Sequence, residues 1–68
     1  MDKETEKLLK LCEHWANHNN SHKEDFLKWR DIAKLKGLES TAEKLDKAIE
    51  AMDKCTEYLI LARKQLNK

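Results

Sequence analysis

The chain of 68 residues contains no proline, a single glycine and few aromatic residues. Without proline, no position is forced out of a helical conformation. Lysine, glutamate, leucine and alanine are abundant instead, and these residues lose little side-chain freedom in a helix. The composition therefore predicts an all-α protein, and the length allows one domain at most, residues 1–68.

The chain also lacks an excess of charge of either sign and a long apolar run, and we expect no signal sequence. Its formal net charge is +1, with acidic and basic residues interleaved, so no stripe of one sign is available to bind a nucleic-acid backbone. The longest apolar run, residues 59–62, is far shorter than the roughly 20 residues of a membrane-spanning helix. We expect a cytoplasmic protein that binds neither nucleic acid nor membranes.

Apolar residues recur at steps of three and four, as in amphipathic helices, over about residues 3–18, 22–36 and 40–66. Asn19, Asn20 and Ser21 favour caps and turns, and Glu24 completes a Ser-x-x-Glu capping box, so a break is expected here. Gly37 is typical of a helix end. The spacing predicts an up-down-up three-helix bundle. The alternative is a long helical hairpin, in which the first two segments form one helix that would need a partner chain to cover it.

Two sets of apolar residues have separate predicted roles. Aromatic rings bury large areas, so we expect them to anchor the core; they are Trp15, Phe26 and Trp29. The last helix is apolar around most of its circumference near its end, which indicates burial against something else. We expect an interaction surface there, for a homodimer or a partner protein, formed by Tyr58, Leu59 and Leu61.

The three histidines are spaced four residues apart, at His14, His18 and His22. Residues four apart share one flank of a helix, so two of them can hold one ion, and the predicted turn would bring the third to the same corner. Counting residues along the third predicted helix puts Cys55 at about the same height in the bundle as His14 and His18, so Cys55 is a fourth candidate ligand. Imidazole and thiolate groups suit Ni, Zn or Co. The alternative is that the histidines are solvated or pack beside the turn.

Neither cysteine is expected to form a disulfide, because reduced thiols are typical of this kind of chain. Catalysis is also disfavoured. A Cys–His nucleophile pair needs an oxyanion hole and a cleft, and a small bundle with tight turns has little room for them. No Glu-x-x-His pair is present that would indicate a di-iron site.

The segment HWANHNNSHKEDFLKWRDIAKLKGLESTAEKL, residues 14–45, resembles a small helical domain family of unknown function found in archaea and anaerobic bacteria. The family pattern is His-Trp-x-x-His-Asn-x-x-His, then Phe and Trp three residues apart, then Gly-Leu before the last helix. The matching residues are His14, Trp15, His18, Asn19, His22, Phe26, Trp29, Gly37 and Leu38. The resemblance implies a helical fold, a recurring histidine trio and an association with nickel or other metal handling; the cysteines are not part of it.

From the residues and the resemblance together, we expect a non-catalytic accessory module that binds a divalent transition metal through its histidine cluster. The alternative is a structural module for dimerisation or protein interaction that binds no metal.

Overall fold

The computed structural model describes residues 2–66, which form two antiparallel helices joined by a short turn. Helix α1 is Lys3–Leu35 and helix α2 is Glu39–Leu66. The described part of the chain measures 52 × 15 × 11 Å, as expected for a hairpin whose longer helix has 33 residues. The all-α prediction is confirmed and the hairpin alternative is correct, whereas the three-helix bundle is wrong.

Helix α1 continues through the segment where a break was expected. Asn19, Asn20 and Ser21 are all helical, so the capping-box spacing of Ser21 and Glu24 is not used to start a helix. Asn19 lies towards α2 and donates a hydrogen bond from Nδ2 to Sγ of Cys55 at 3.4 Å. Asn and Ser cost only a few tenths of a kcal/mol each inside a helix, which uninterrupted packing along α2 outweighs.

Specific hydrogen bonds define both ends of α1. Asp2 is the N-cap of α1, and its Oδ1 accepts a hydrogen bond from the backbone N–H of Thr5 at 2.7 Å. This backbone hydrogen bond holds the pKa of the Asp2 carboxyl below its ordinary value. Gly37, at φ +75°, follows α1 and donates to the Lys34 carbonyl, while Leu38 donates to the Ala33 carbonyl. These two bonds form a Schellman motif, for which glycine is the favoured residue.

The contact between the helices follows a seven-residue repeat, which we call the seam. Its α1 members are Leu9, Cys12, Ala16, Asn19, Lys23, Phe26, Arg30 and Ala33, and its α2 members are Ala42, Leu45, Ile49, Met52, Thr56, Leu59 and Arg63. Five of the described residues are buried, namely Cys12, Ala16, Ala33, Ala42 and Ile49. Since four of these five are small, the helices approach closely around a thin core.

The two tryptophans are not core anchors. Trp15 is 42% exposed and Trp29 is 56% exposed, while Phe26 is half-buried. A hairpin gives each helix one neighbour, so only the seam is covered. Trp15 follows buried Cys12 by three positions and lies beside the seam rather than in it. The expectation failed because it assumed a bundle that covers two sides of the first helix.

Candidate functional site

The two sides of the hairpin differ in chemistry. On one side, ion pairs cross from α1 to α2, with Lys23 Nζ 2.7 Å from Asp53 Oδ1 and Arg30 Nη1 2.8 Å from Asp46 Oδ1. A third pair joins Arg63 Nε to Glu13 Oε1 at 2.6 Å near the open end of the hairpin. These contacts set the register of the two helices. We call this side the ion-paired face.

The pair of Arg30 and Asp46 shifts both pKa values. The hydrogen bond from the Arg30 side chain holds the pKa of the Asp46 carboxyl below its ordinary value, and the positive charges of Arg30, Lys34 and Lys47 act in the same direction. The same hydrogen bond to Asp46 raises the pKa of Arg30. The charged form of Asp46 is therefore favoured in the folded chain.

We expect Asp46→Asn to lower the melting temperature by a few degrees at neutral pH. A carboxyl whose folded pKa is depressed stabilises the fold above its unfolded pKa, about 3.9, and this contribution is lost as the pH falls through the folded value. The difference between variant and wild type should therefore be constant above about pH 5 and disappear in acid. Thermal unfolding followed by circular dichroism across this range measures it.

Asp31→Asn is the matched control for that prediction. Asp31 also contacts Arg30, with Nε to Oδ1 at 3.1 Å, but it belongs to the same helix and does not bridge to α2. A loss of stability as large for Asp31→Asn as for Asp46→Asn would contradict the role assigned to the inter-helix pair.

The opposite side carries a column of large side chains, which we call the lateral apolar face. Leu8, Trp15, His22 and Trp29 are each seven residues apart and so lie in one line beside the seam. Leu8 is 43% exposed, and the two tryptophans and His22 are also exposed. The flank of α2 on this side carries small residues at the same interval, namely Thr41, Ala48, Cys55 and Ala62. The lateral apolar face is therefore broad. Its side chains on α1 are large, and those on α2 are small and leave room above that helix.

A hollow of about 260 Å³ extends the lateral apolar face at the turn. Its walls are almost entirely apolar and are formed by Trp29, Ile32, Ala33, Lys36, Leu38, Thr41 and Leu45. An open apolar hollow of this size matches one or two aliphatic side chains better than a large ligand.

The histidines lie on successive turns of α1, and all three are exposed. His22 belongs to the lateral apolar face, and His18 lies at its edge, whereas His14 lies further around the helix. The rings of His14 and His18 stack with centroids 5.8 Å apart, and those of His18 and His22 meet edge to face at 4.5 Å. The closest contact joins Nε2 of His18 to Nε2 of His22 at 2.9 Å. His18 and His22 therefore form a pair whose two Nε2 atoms lie next to each other.

The predicted four-ligand cluster of His14, His18, His22 and Cys55 is not assembled within one chain. Among residues 2–66, no group of three or more His, Cys, Asp or Glu side chains is arranged to hold a metal ion. The expected corner required a turn after His18, and the continuous helix spreads the histidines along its length instead. Cys55 is exposed and accepts the hydrogen bond from Asn19, while Cys12 is buried, and both are free thiols.

The predicted interaction surface near the end of α2 is divided among different sides of the helix. Tyr58 is 66% exposed and Leu61 is 43% exposed, whereas Leu59 is half-buried in the seam. Because Leu61 is two residues from Leu59, it lies on the back of α2, away from α1. In the hairpin, the largest aromatic groups beside the seam are instead those of α1.

Comparison with protein families matches residues 8–66, from Leu8 to the end of α2, to one family. The chain belongs to the family described as Domain of unknown function (DUF8180). The DUF8180 match confirms the resemblance at the level of a small domain family of unknown function, and it includes the lateral apolar face and the histidine pair. No curated protein and no solved structure shows significant similarity to the chain. Within residues 2–66, neither helix has an apolar stretch sufficient to cross a membrane.

Sequence reasoning missed the column of the lateral apolar face, although its signal was present. The interval of seven from Leu8 to Trp15, His22 and Trp29 differs from the alternating steps of three and four that mark a seam. The polar seam residues were missed as well. Lys23 and Arg30 occupy positions that an apolar pattern skips, and their acidic partners on α2 could be matched only once the register was known.

Proposed function

We propose that this chain is a non-catalytic helical module that associates with a second copy of itself through the lateral apolar face. The observation that carries the proposal is the exposed column at seven-residue intervals, with Trp15 at 42% and Trp29 at 56% exposure. A second helix packing along α1 in coiled-coil fashion requires this repeat. The contact of α1 with α2 has the same period of seven residues, with two contacting positions in each period rather than one.

The column is symmetric, which favours a second copy as the occupant. Trp15 and Trp29 lie seven residues to either side of His22. If two α1 helices run antiparallel with His22 at the two-fold axis, Trp15 of each copy meets Trp29 of the other. Leu8 of each copy then lies over the apolar hollow beside Trp29. A two-fold interface of this type uses the same patch twice, so each patch must be self-complementary.

The available area and charge also suit self-association. The exposed parts of the two tryptophans together amount to about one whole indole, roughly 200 Å². A stable interface buries about 800 Å² of each partner. The part of this area that the tryptophans do not supply would come from Leu8, the hollow and the small residues of α2. The net charge of +1 causes little repulsion between copies. Burial of this face would give the thin hairpin the second layer that a stable domain of this size needs.

We expect sedimentation equilibrium of the full chain to show a dimer at micromolar concentrations. Thermal unfolding should depend on concentration, because dissociation is linked to unfolding, and a hundredfold increase should raise the melting temperature by roughly 5–10 °C. A chain that stays monomeric over this range, with a constant melting temperature, would contradict the proposal.

Metal binding is a second candidate function, favoured by the 2.9 Å contact between Nε2 of His18 and Nε2 of His22. A pair of imidazoles four residues apart on a helix binds Ni, Zn or Co. Under this proposal His18 and His22 are the ligands that the chain itself supplies. Calorimetric titration of the chelator-treated protein with Ni and Zn tests it, with binding expected in the wild type and lost in the His18→Ala, His22→Ala double variant.

A further inference from the structure

We infer that His18 and His22 form half of a four-histidine site for a divalent transition metal, completed by the same pair from a second copy of the chain. This inference rests on the proposed self-association. In this site four imidazoles coordinate the ion, and one ion binds to two chains.

The geometry of the pair is close to that of two ligands on one ion. Nitrogens bound at 2.0–2.1 Å to a tetrahedral zinc ion lie about 3.3 Å apart. The two Nε2 atoms are 2.9 Å apart, so a small rotation of either ring would admit the ion between them. Both side chains are exposed, and the spacing of four residues holds both rings on one flank of a rigid helix.

The described residues of one chain, 2–66, supply two of the ligands that such an ion needs. Within residues 2–66, no third His, Cys, Asp or Glu joins the pair in a metal-holding arrangement. The ring of His14 is stacked against that of His18 at an interplanar angle of 20°, so it lies beside the pair rather than opposite it. Zinc in closed protein sites takes four ligands, and two ligands must therefore come from elsewhere.

The symmetry of the lateral apolar face brings a second pair to the same place. The antiparallel register that sets Trp15 against Trp29 of the other copy puts His22 of both copies at the two-fold axis. His18 lies one turn away, about 6 Å along the helix. Four imidazoles then surround the centre of the interface, and apolar contacts on both sides exclude water. An all-imidazole set in this setting suits Zn²⁺ or Co²⁺.

The test is a titration of the chelator-treated full chain with Zn²⁺ by calorimetry and with Co²⁺ by visible absorption, which is intense for tetrahedral cobalt. We expect one ion for two chains, and at least 100-fold weaker binding in the His18→Ala variant, which retains every residue of the exposed column and should remain a dimer. His14→Ala is the matched control and should bind like the wild type. Trp15→Glu retains both histidines but should also bind at least 100-fold more weakly, because it separates the two halves of the site.

One ion per chain, unaffected by Trp15→Glu, would overturn the shared site. A dimer that binds neither ion would overturn it while leaving the proposed function intact. A chain that is monomeric with and without metal would contradict the proposed function and the shared site together. Sedimentation in the presence and absence of metal separates these results.

Discussion

Replacing Trp15 by glutamate is expected to convert the self-associated chain into monomers. The indole lies on the lateral apolar face and is 42% exposed in the single chain, so its removal leaves the seam intact. In the dimer it would be buried in the interface against Trp29 of the other copy, where loss of a tryptophan typically costs about 2 kcal/mol or more, and a glutamate adds an uncompensated charge. The dissociation constant should rise by at least about 30-fold.

Sedimentation equilibrium of the wild type and the variant measures this effect, and Trp29→Glu should behave in the same way. Leu61→Glu is the matched control, because Leu61 is 43% exposed and lies on the back of α2. It also tests the interaction surface that the sequence favoured near the end of α2. If Leu61→Glu dissociates the dimer and Trp15→Glu does not, the lateral apolar face is the wrong interface and the end of α2 is the better candidate.

Ser21→Pro is expected to destabilise the protein by about 3 kcal/mol or more, because proline inside a helix removes a backbone hydrogen bond and clashes with the preceding turn. Ser21 is exposed and lies in the middle of the 33-residue helix α1, so the effect comes from the backbone and not from lost side-chain packing. The melting temperature should fall by more than about 10 °C, with a loss of helical signal.

Lys3→Pro provides the control for this experiment. Lys3 follows the N-cap Asp2 and occupies the first position of α1, where proline is well tolerated because the N–H has no helical partner. Its effect should lie within about 0.5 kcal/mol. If Ser21→Pro were as mild as Lys3→Pro, the first helix would end near Ser21, and the three-helix arrangement would be the correct one.

The candidate site was only partly predictable, because the predicted cluster required a break in α1 that the structure does not have. His14, His18 and His22 follow directly from their spacing, and the pairing of two of them on one flank was expected. The corner that would bring in the third histidine and Cys55 depended on a turn at residues 19–21. Local preference for a turn there was weaker than the gain from continuing the seam through Asn19 and Lys23 to Arg30.

The roles of the tryptophans depended on a fact that lies outside α1. The number of helices that surround α1 decides whether Trp15 and Trp29 are buried or exposed. A three-helix bundle and a hairpin that pairs with a second chain both need apolar residues on the same flank of α1, so the sequence pattern does not distinguish them. With α2 as the one neighbour within residues 2–66, the seam takes the small residues Cys12, Ala16 and Ala33, and the large rings remain beside it.

The sequence by itself determined the helical class, the end of α1 just before Gly37, and the histidine spacing, because these depend on composition, local backbone preference and helix periodicity. The tertiary structure alone decided that α1 is continuous, which residues face α2, and that the aromatic column stays exposed. These features depend on packing between residues far apart in the chain, such as Arg30 with Asp46, and such packing outweighs local preferences of a few tenths of a kcal/mol.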